Sequence, residues 1–201
     1  MDILYNLVEK LKKNPIIILL WYLLGKPVPP PHIYKQKIVR IYGKKFRINI
    51  LIESGTFKGD MVYGVRNGFK KIITIELSDY FFKKAKIRLR NFENIKVIKG
   101  DSGEKIKQIL RFAKEPAVFW LDGHYSGGHT TKSKVNTPII NELKSILIHK
   151  IKTHVILIDD ARHFTGKDDY PKTNDLKKML RDSNYSMKVK DDIIRITPQN
   201  Y

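Results

Sequence analysis

From residue 49 onward, apolar positions fall into short, nearly unbroken runs, separated by longer segments with helical spacing. The runs read as strands over 49–53, 71–76, 95–99, 117–121 and 154–158. Strands that are apolar at almost every position are buried on both faces, as in a parallel sheet. Between and after them the spacing predicts helices over 58–67, 79–91, 103–113, 138–149 and 173–182. Gly68 is placed to stop the first helix, and Ser78 or Asp79 to cap the second. Tyr185 to Lys190, Asp191-Asp192 and Ile193 to Thr197 read as a closing hairpin. The alternation predicts an α/β architecture, doubly wound, with helices on both faces of a mostly parallel sheet.

Residues 1–48 have a different pattern and read as a basic, apolar extension preceding a domain over 49–201. They hold ten Lys/Arg against two acids, Asp2 and Glu9. Ile38-Val39-Arg40-Ile41-Tyr42, Gly43-Lys44 and Lys45 to Ile48 predict a small hairpin leading into the domain. The apolar run Pro15 to Leu24 is too short to span a hydrocarbon core, which takes about 20 helical residues. It lacks the small-residue cleavage site of a signal peptide, and the Pro-rich Lys26-Pro27-Val28-Pro29-Pro30-Pro31 follows directly. Two readings stand. One is a helix packed on the domain, with the prolines as a stiff connector. The other is peripheral membrane contact through residues 14–31, with Trp21 and Tyr22 at headgroup level.

Composition narrows the partners. The chain of 201 residues suits one α/β domain, and it has no cysteine, which excludes disulfides and thiolate metal sites. The expected location is cytoplasmic, with the inner face of the membrane as the site of any peripheral contact. A net charge of +19 attracts phosphates, nucleic acid, acidic glycans or anionic lipid, or reflects lysines scattered over a solvated surface.

The chemistry gathers at the predicted strand ends. Ile50-Leu51-Ile52-Glu53-Ser54-Gly55-Thr56-Phe57-Lys58-Gly59-Asp60 is a buried strand, an acid, a turn with two glycines and a helix start. Such a turn brings backbone close to a nucleotide-like ligand. Glu76 closes the second strand 23 residues after Glu53, placed to accept from ribose hydroxyls of an adenosine-type cofactor. The third strand leads to Gly100-Asp101-Ser102, the fourth to Leu121-Asp122-Gly123-His124-Tyr125-Ser126-Gly127-Gly128, and the fifth to Asp159-Asp160-Ala161-Arg162-His163. Every one of these strands ends in a carboxylate.

Taken in order, these ends resemble the class I S-adenosylmethionine (SAM)-dependent methyltransferases over about residues 49–197. The resemblance implies a Rossmann-like, seven-stranded sheet with an antiparallel C-terminal hairpin. It also implies roles. Glu53, with Ser54, Gly55, Thr56 and Gly59, would face the methionine end of the cofactor. Glu76 and the adjoining Leu77 would meet the ribose. Asp101 and Ser102 would lie beside the adenine, although either residue also suits a helix N-cap. Asp122 would stand near the sulfonium.

Asp122, Asp159 and Asp160 form an acidic group that calls for a cation, and hard oxygen ligands suit Mg²⁺ or Ca²⁺ and not a soft metal. The resemblance is greatest to the Mg²⁺-dependent O-methyltransferases of small molecules and sugars, in which a metal would orient an acceptor hydroxyl. The plainer alternative is that Asp159 bonds backbone and Asp160 caps the following loop. His124 or His163 could take the acceptor's proton. His129 and Arg162 are candidate contacts to a small-molecule or glycan acceptor.

Two other classes fit less well. Base-methylating enzymes resemble one another in an Asn/Asp-Pro-Pro-Tyr/Phe segment after the fourth strand, where this chain has Asp122-Gly123-His124-Tyr125, so nucleic acid is not the favoured partner. A nicotinamide oxidoreductase would carry a full Gly-x-Gly-x-x-Gly turn, which is lacking.

Overall fold

A computed structural model describes residues 14–123 and 137–199. Among these residues the strands are β1 (Ile50–Ser54), β2 (Lys71–Glu76), β3 (Ile95–Lys99), β4 (Val118–Leu121), β5 (Val155–Ile158), β6 (Tyr185–Lys190) and β7 (Ile193–Pro198). They form one seven-stranded sheet in the order β3-β2-β1-β4-β5-β7-β6. The first five strands are parallel, and the β6–β7 hairpin joins β5 antiparallel through β7. The expected mixed sheet is therefore present. The hairpin turns on Asp191 and Asp192, both left-handed at φ 52° and 59°. Two such residues in a two-residue loop match the right-handed twist of the flanking strands.

The helices are α1 (Ile16–Leu23), α2 (His32–Lys45), α3 (Asp60–Val65), α4 (Asp79–Leu89), α5 (Ser102–Leu110), α6 (Ile139–Ile148) and α7 (Thr173–Met179). Short 3-10 turns occupy Arg66–Gly68 and Ala161–His163. Successive strand residues point to opposite faces. On one face Leu51, Val118, Trp120, Val155 and Leu157 pack with Trp21, Tyr34, Val39 and Phe46. On the other, Ile52, Phe119, Leu121, Ile156 and Ile158 pack with Ile106, Leu143 and Leu176. Burying a side chain of this size contributes about 1.5–3 kcal/mol, so both faces are needed.

The hairpin expected over Ile38 to Ile48 is not formed. Residues 38–45 belong to α2, which begins after Pro31. Its buried positions Tyr34, Lys35, Ile38, Val39 and Gly43 recur at helical spacing and make one stripe against the sheet. Packing on that face overrides the strand preference of the β-branched run. Gly43, read as a turn residue, lies inside the helix, where a Cβ would come within 2.8 Å of the Phe69 ring.

α1 is tied to the body by Trp21, which is buried, donates from Nε1 to the Pro27 carbonyl at 2.7 Å and lies 4.6 Å from the Tyr34 ring. Its outer side exposes Ile16, Leu19, Leu20, Leu23 and the following Leu24. No helix among the described residues is long and apolar enough to cross a membrane.

Candidate active site

The strand order reverses between β1 and β4, and a crevice opens at the carboxyl ends of such a pair. The turn after β1 lies there. Gly55 adopts φ 83° and Gly59 φ 73°, and Phe57 between them is left-handed at φ 48°. A bulky residue in that region is strained unless its surroundings hold it. Glu76 does so, accepting from the Phe57 amide at 2.7 Å and from the Ser78 amide at 2.7 Å. Gly55 and Thr56 both donate to the Ile75 carbonyl, so the turn is laced to the end of β2. Gly55 also packs directly on the Asp122 backbone at the end of β4. Its lack of a side chain is thus required by a neighbouring strand. Gly59 opens α3 and packs against Leu89.

Glu53 is buried and accepts a short hydrogen bond from the Thr74 hydroxyl, which also meets the Thr56 hydroxyl at 2.5 Å. Burial pushes its carboxyl up to about 8; the Thr74 hydrogen bond pulls the other way, and the charges of Glu76 and Asp60 add to the rise. Ser54 is buried at the end of β1, with its hydroxyl beside the Glu142 carboxyl. Leu77 follows Glu76 and is partly buried. Asp101 caps α5 by accepting from the Glu104 amide at 3.3 Å, and Ser102 is buried beside it as the first helical residue.

The carboxylates of Asp122, Asp159 and Asp160 offer oxygens that all lie within 4.8 Å of one another. β4 and β5 are neighbours, so the residues that follow them converge. Asp159 accepts from the Asp160 amide at 2.9 Å, the backbone bond anticipated as an alternative to metal binding. Asp160 is left-handed at φ 54°, which turns the chain into the 3-10 segment. A lysine from α2 stands among them: Lys35 Nζ lies 2.6 Å from Asp159 Oδ2 and 3.3 Å from Asp160 Oδ1. Arg162 Nη1 reaches Asp160 Oδ1 at 2.8 Å and pairs also with Asp192.

Burial raises the Asp159 carboxyl to about 6, with the Lys35 charge opposing and that of Asp160 adding. Burial and the Asp159 charge likewise push Asp122 well above the carboxylate range against the pull of Lys35. Burial lowers Lys35, but the charges of Asp159 and Asp160 outweigh it and hold the ammonium on.

The donor set therefore has the right chemistry for Mg²⁺, and two of its three carboxylates already pair with a cation from the chain.

Of the other expected residues, His163 is exposed with its ring 5.6 Å from Tyr170, and Arg162 is engaged with Asp160 and Asp192. His124 and His129 lie outside the described residues. The structure adds Lys35, Glu142 and Tyr170. Leu121, Gly123, Glu142, Asp159, Phe164 and Tyr170 line a small cavity beneath the rim. Glu142 is buried with Oε1 unpartnered, and burial raises its carboxyl to about 7 despite the hydroxyls of Ser102 and Ser54 nearby. Apolar neighbours on α6 at helical spacing were the available sign of its burial.

No protein-family model and no curated protein matches the sequence. Among solved structures, the O-methyltransferase TomG from Streptomyces achromogenes, in complex with SAM, aligns with a TM-score of 0.61 at 14% identity over 90% of this chain and 86% of that one. The O-methyltransferase from Bacillus cereus, in complex with S-adenosylhomocysteine (SAH), aligns at 0.60 and 15% over 90% and 88%. SAH-bound PaMTH1, a methyltransferase of Podospora anserina, aligns at 0.60 and 13% over 98% and 96%. The chain has the class I methyltransferase fold. At such identities the fold is what is shared. Within the methyltransferase fold, the β1–β4 crevice and its carboxylates occupy the end of the sheet where α/β folds bind their ligands.

Proposed function

We propose that the protein transfers a methyl group from SAM to a hydroxyl of a sugar or another small polar acceptor. The observation that supports this reading is that Glu53, Glu76, Asp101 and Asp122 close or follow four adjacent parallel strands at one end of the sheet, beside a glycine turn held in left-handed geometry. The solved relatives that bind SAM or SAH support it through their shared fold.

In this reading Glu53 meets the cofactor ammonium, with Ser54, Gly55, Thr56 and Gly59 supplying the turn. Glu76 has each oxygen fixed by a backbone amide and keeps lone pairs for ribose hydroxyls, next to Leu77. Asp101 and Ser102 border the adenine. Asp122 stands at the crevice, where the acceptor oxygen attacks the methyl carbon as the sulfur–carbon bond breaks. The sulfonium becomes a neutral thioether, and the acceptor's proton leaves to a nearby base, for which Asp122 and His163 are the candidates among the described residues. Positioning the two reactants in line supplies much of the rate. No step is routed through a metal ion.

The test is calorimetry with SAM and SAH. Both are expected to bind with micromolar affinity, and Glu76→Gln is expected to weaken both at least tenfold. Absence of binding by either would overturn the proposal.

A further inference from the structure

We infer that the ammonium of Lys35 is the resident cation of the acidic cluster, and that it excludes a divalent ion from Asp122, Asp159 and Asp160. Lysine is almost never buried without a partner, yet Lys35 is 8% exposed. Its ammonium sits 2.6 Å from Asp159 Oδ2 and 3.3 Å from Asp160 Oδ1, against two of the three carboxylates whose oxygens lie within 4.8 Å of each other. An ion sharing those oxygens would stand no more than about 5 Å from the ammonium, and like charges at that distance repel strongly in a water-poor site. Arg162 takes a second position on Asp160 Oδ1 at 2.8 Å, so two of the three carboxylates already have cationic partners from the chain.

The lysine is held in place by its helix. Tyr34, Ile38 and Val39, on the same face of α2, are buried in the core beneath the sheet. The Tyr34 hydroxyl donates to Asp191 in the β6–β7 turn. Lys35 cannot withdraw its backbone without taking α2 out of that core. The side chain therefore acts as a tethered counter-ion, and the protein has a built-in substitute for the neutralising half of a metal's work. A lysine does not supply the other half, simultaneous coordination of two acceptor oxygens. The acceptor is thus expected to be held by hydrogen bonds alone.

Metal binding is measured on the full chain with Mn²⁺, by electron paramagnetic resonance and by calorimetry. Wild type and Lys35→Arg are expected to show no saturable site below about 1 mM. Lys35→Met, which keeps length and removes charge, is expected to gain a site at least tenfold tighter, and Asp159→Asn added to it should abolish that site. Circular dichroism and a melting curve establish that each variant is folded. A wild type that binds Mn²⁺ in the micromolar range, or a folded Lys35→Met with no gain, would overturn the inference. Should Lys35→Met not fold, the wild-type titration decides alone. These metal titrations stand whether or not SAM binds, so failure of the methyl-transfer reading is separable from failure of this one.

Discussion

A methyl group placed on the Cα of Gly55 would lie 2.4 Å from the carbonyl oxygen of Asp122. The two residues directly follow β1 and β4, the neighbours between which the strand order turns back, so this contact limits how closely the two strand ends approach. Gly55→Ala is expected to strain a left-handed backbone and push the two strand ends apart. The expected cost is about 1–3 kcal/mol of stability, read from urea denaturation. Cofactor affinity should fall more than tenfold in calorimetry. An alanine variant with unchanged affinity would show that the crevice is not where the cofactor sits.

Glu53 links stability to pH. Its carboxyl is raised from an ordinary 4.5 to about 8, chiefly by burial. Between those values the folded protein keeps a proton that the unfolded chain has released. Its contribution is therefore greatest at low pH and is lost as pH rises toward 8, at up to about 1.4 kcal/mol per pH unit. Glu142, raised to about 7, adds to the same trend over a narrower window. Glu53→Gln is expected to make the fall in stability between pH 5 and 8 shallower. Denaturation at four pH values checks it, and identical slopes in the two proteins would refute it.

His154 works in the opposite direction at the other end of the sheet. It is fully buried, and its Nδ1 accepts from the Ala117 amide at 3.0 Å, so the proton lies on Nε2, which faces His149 Nδ1 at 2.8 Å. Burial first, and the neighbouring His149 second, lower it to about 4 from 6.5. The unfolded chain takes up a proton that the folded one refuses, so this stability is present above pH 6.5 and is lost as pH falls toward 4. His154→Asn keeps an acceptor for Ala117 and is expected to reduce the loss between pH 6.5 and 4. Melting temperatures over that range decide.

The outer side of α1 predicts a lipid contact. Ile16, Leu19, Leu20, Leu23 and Leu24 are all at least 50% exposed and recur at helical spacing, on a chain carrying +19. Cosedimentation with anionic vesicles is expected, weakened by the pair Leu19→Asn and Leu23→Asn and absent with neutral vesicles. Equal binding by the wild type and the double variant would exclude this face.

Sheet and strand ends were legible because they depend on local pattern: β2 and β3 begin and end where the apolar runs do, and each acid that closes a run lies at the sheet's carboxyl edge. α2 was misread because Ile38-Val39-Arg40-Ile41-Tyr42 is rich in strand formers. Its true period shows only when Tyr34 and Phe46 are included, and both are buried. That misreading hid Lys35. As one of 39 Lys/Arg it is unremarked, but on a helix it is the charge within the buried stripe. Pairing across 124 residues of sequence leaves no local trace in either partner.

Tyr34 and Lys35 are adjacent in sequence, and one anchors the helix while the other balances the rim. Completion of the hydrophobic interior and arrival of the counter-charge are consequently a single event. A fragment beginning at β1 would lack both, losing the α1 and α2 part of the cover on one side of its sheet and leaving its acids mutually repelling. The leading segment is in this sense a fitted part of the machine, without which the pocket has no stable electrostatic state.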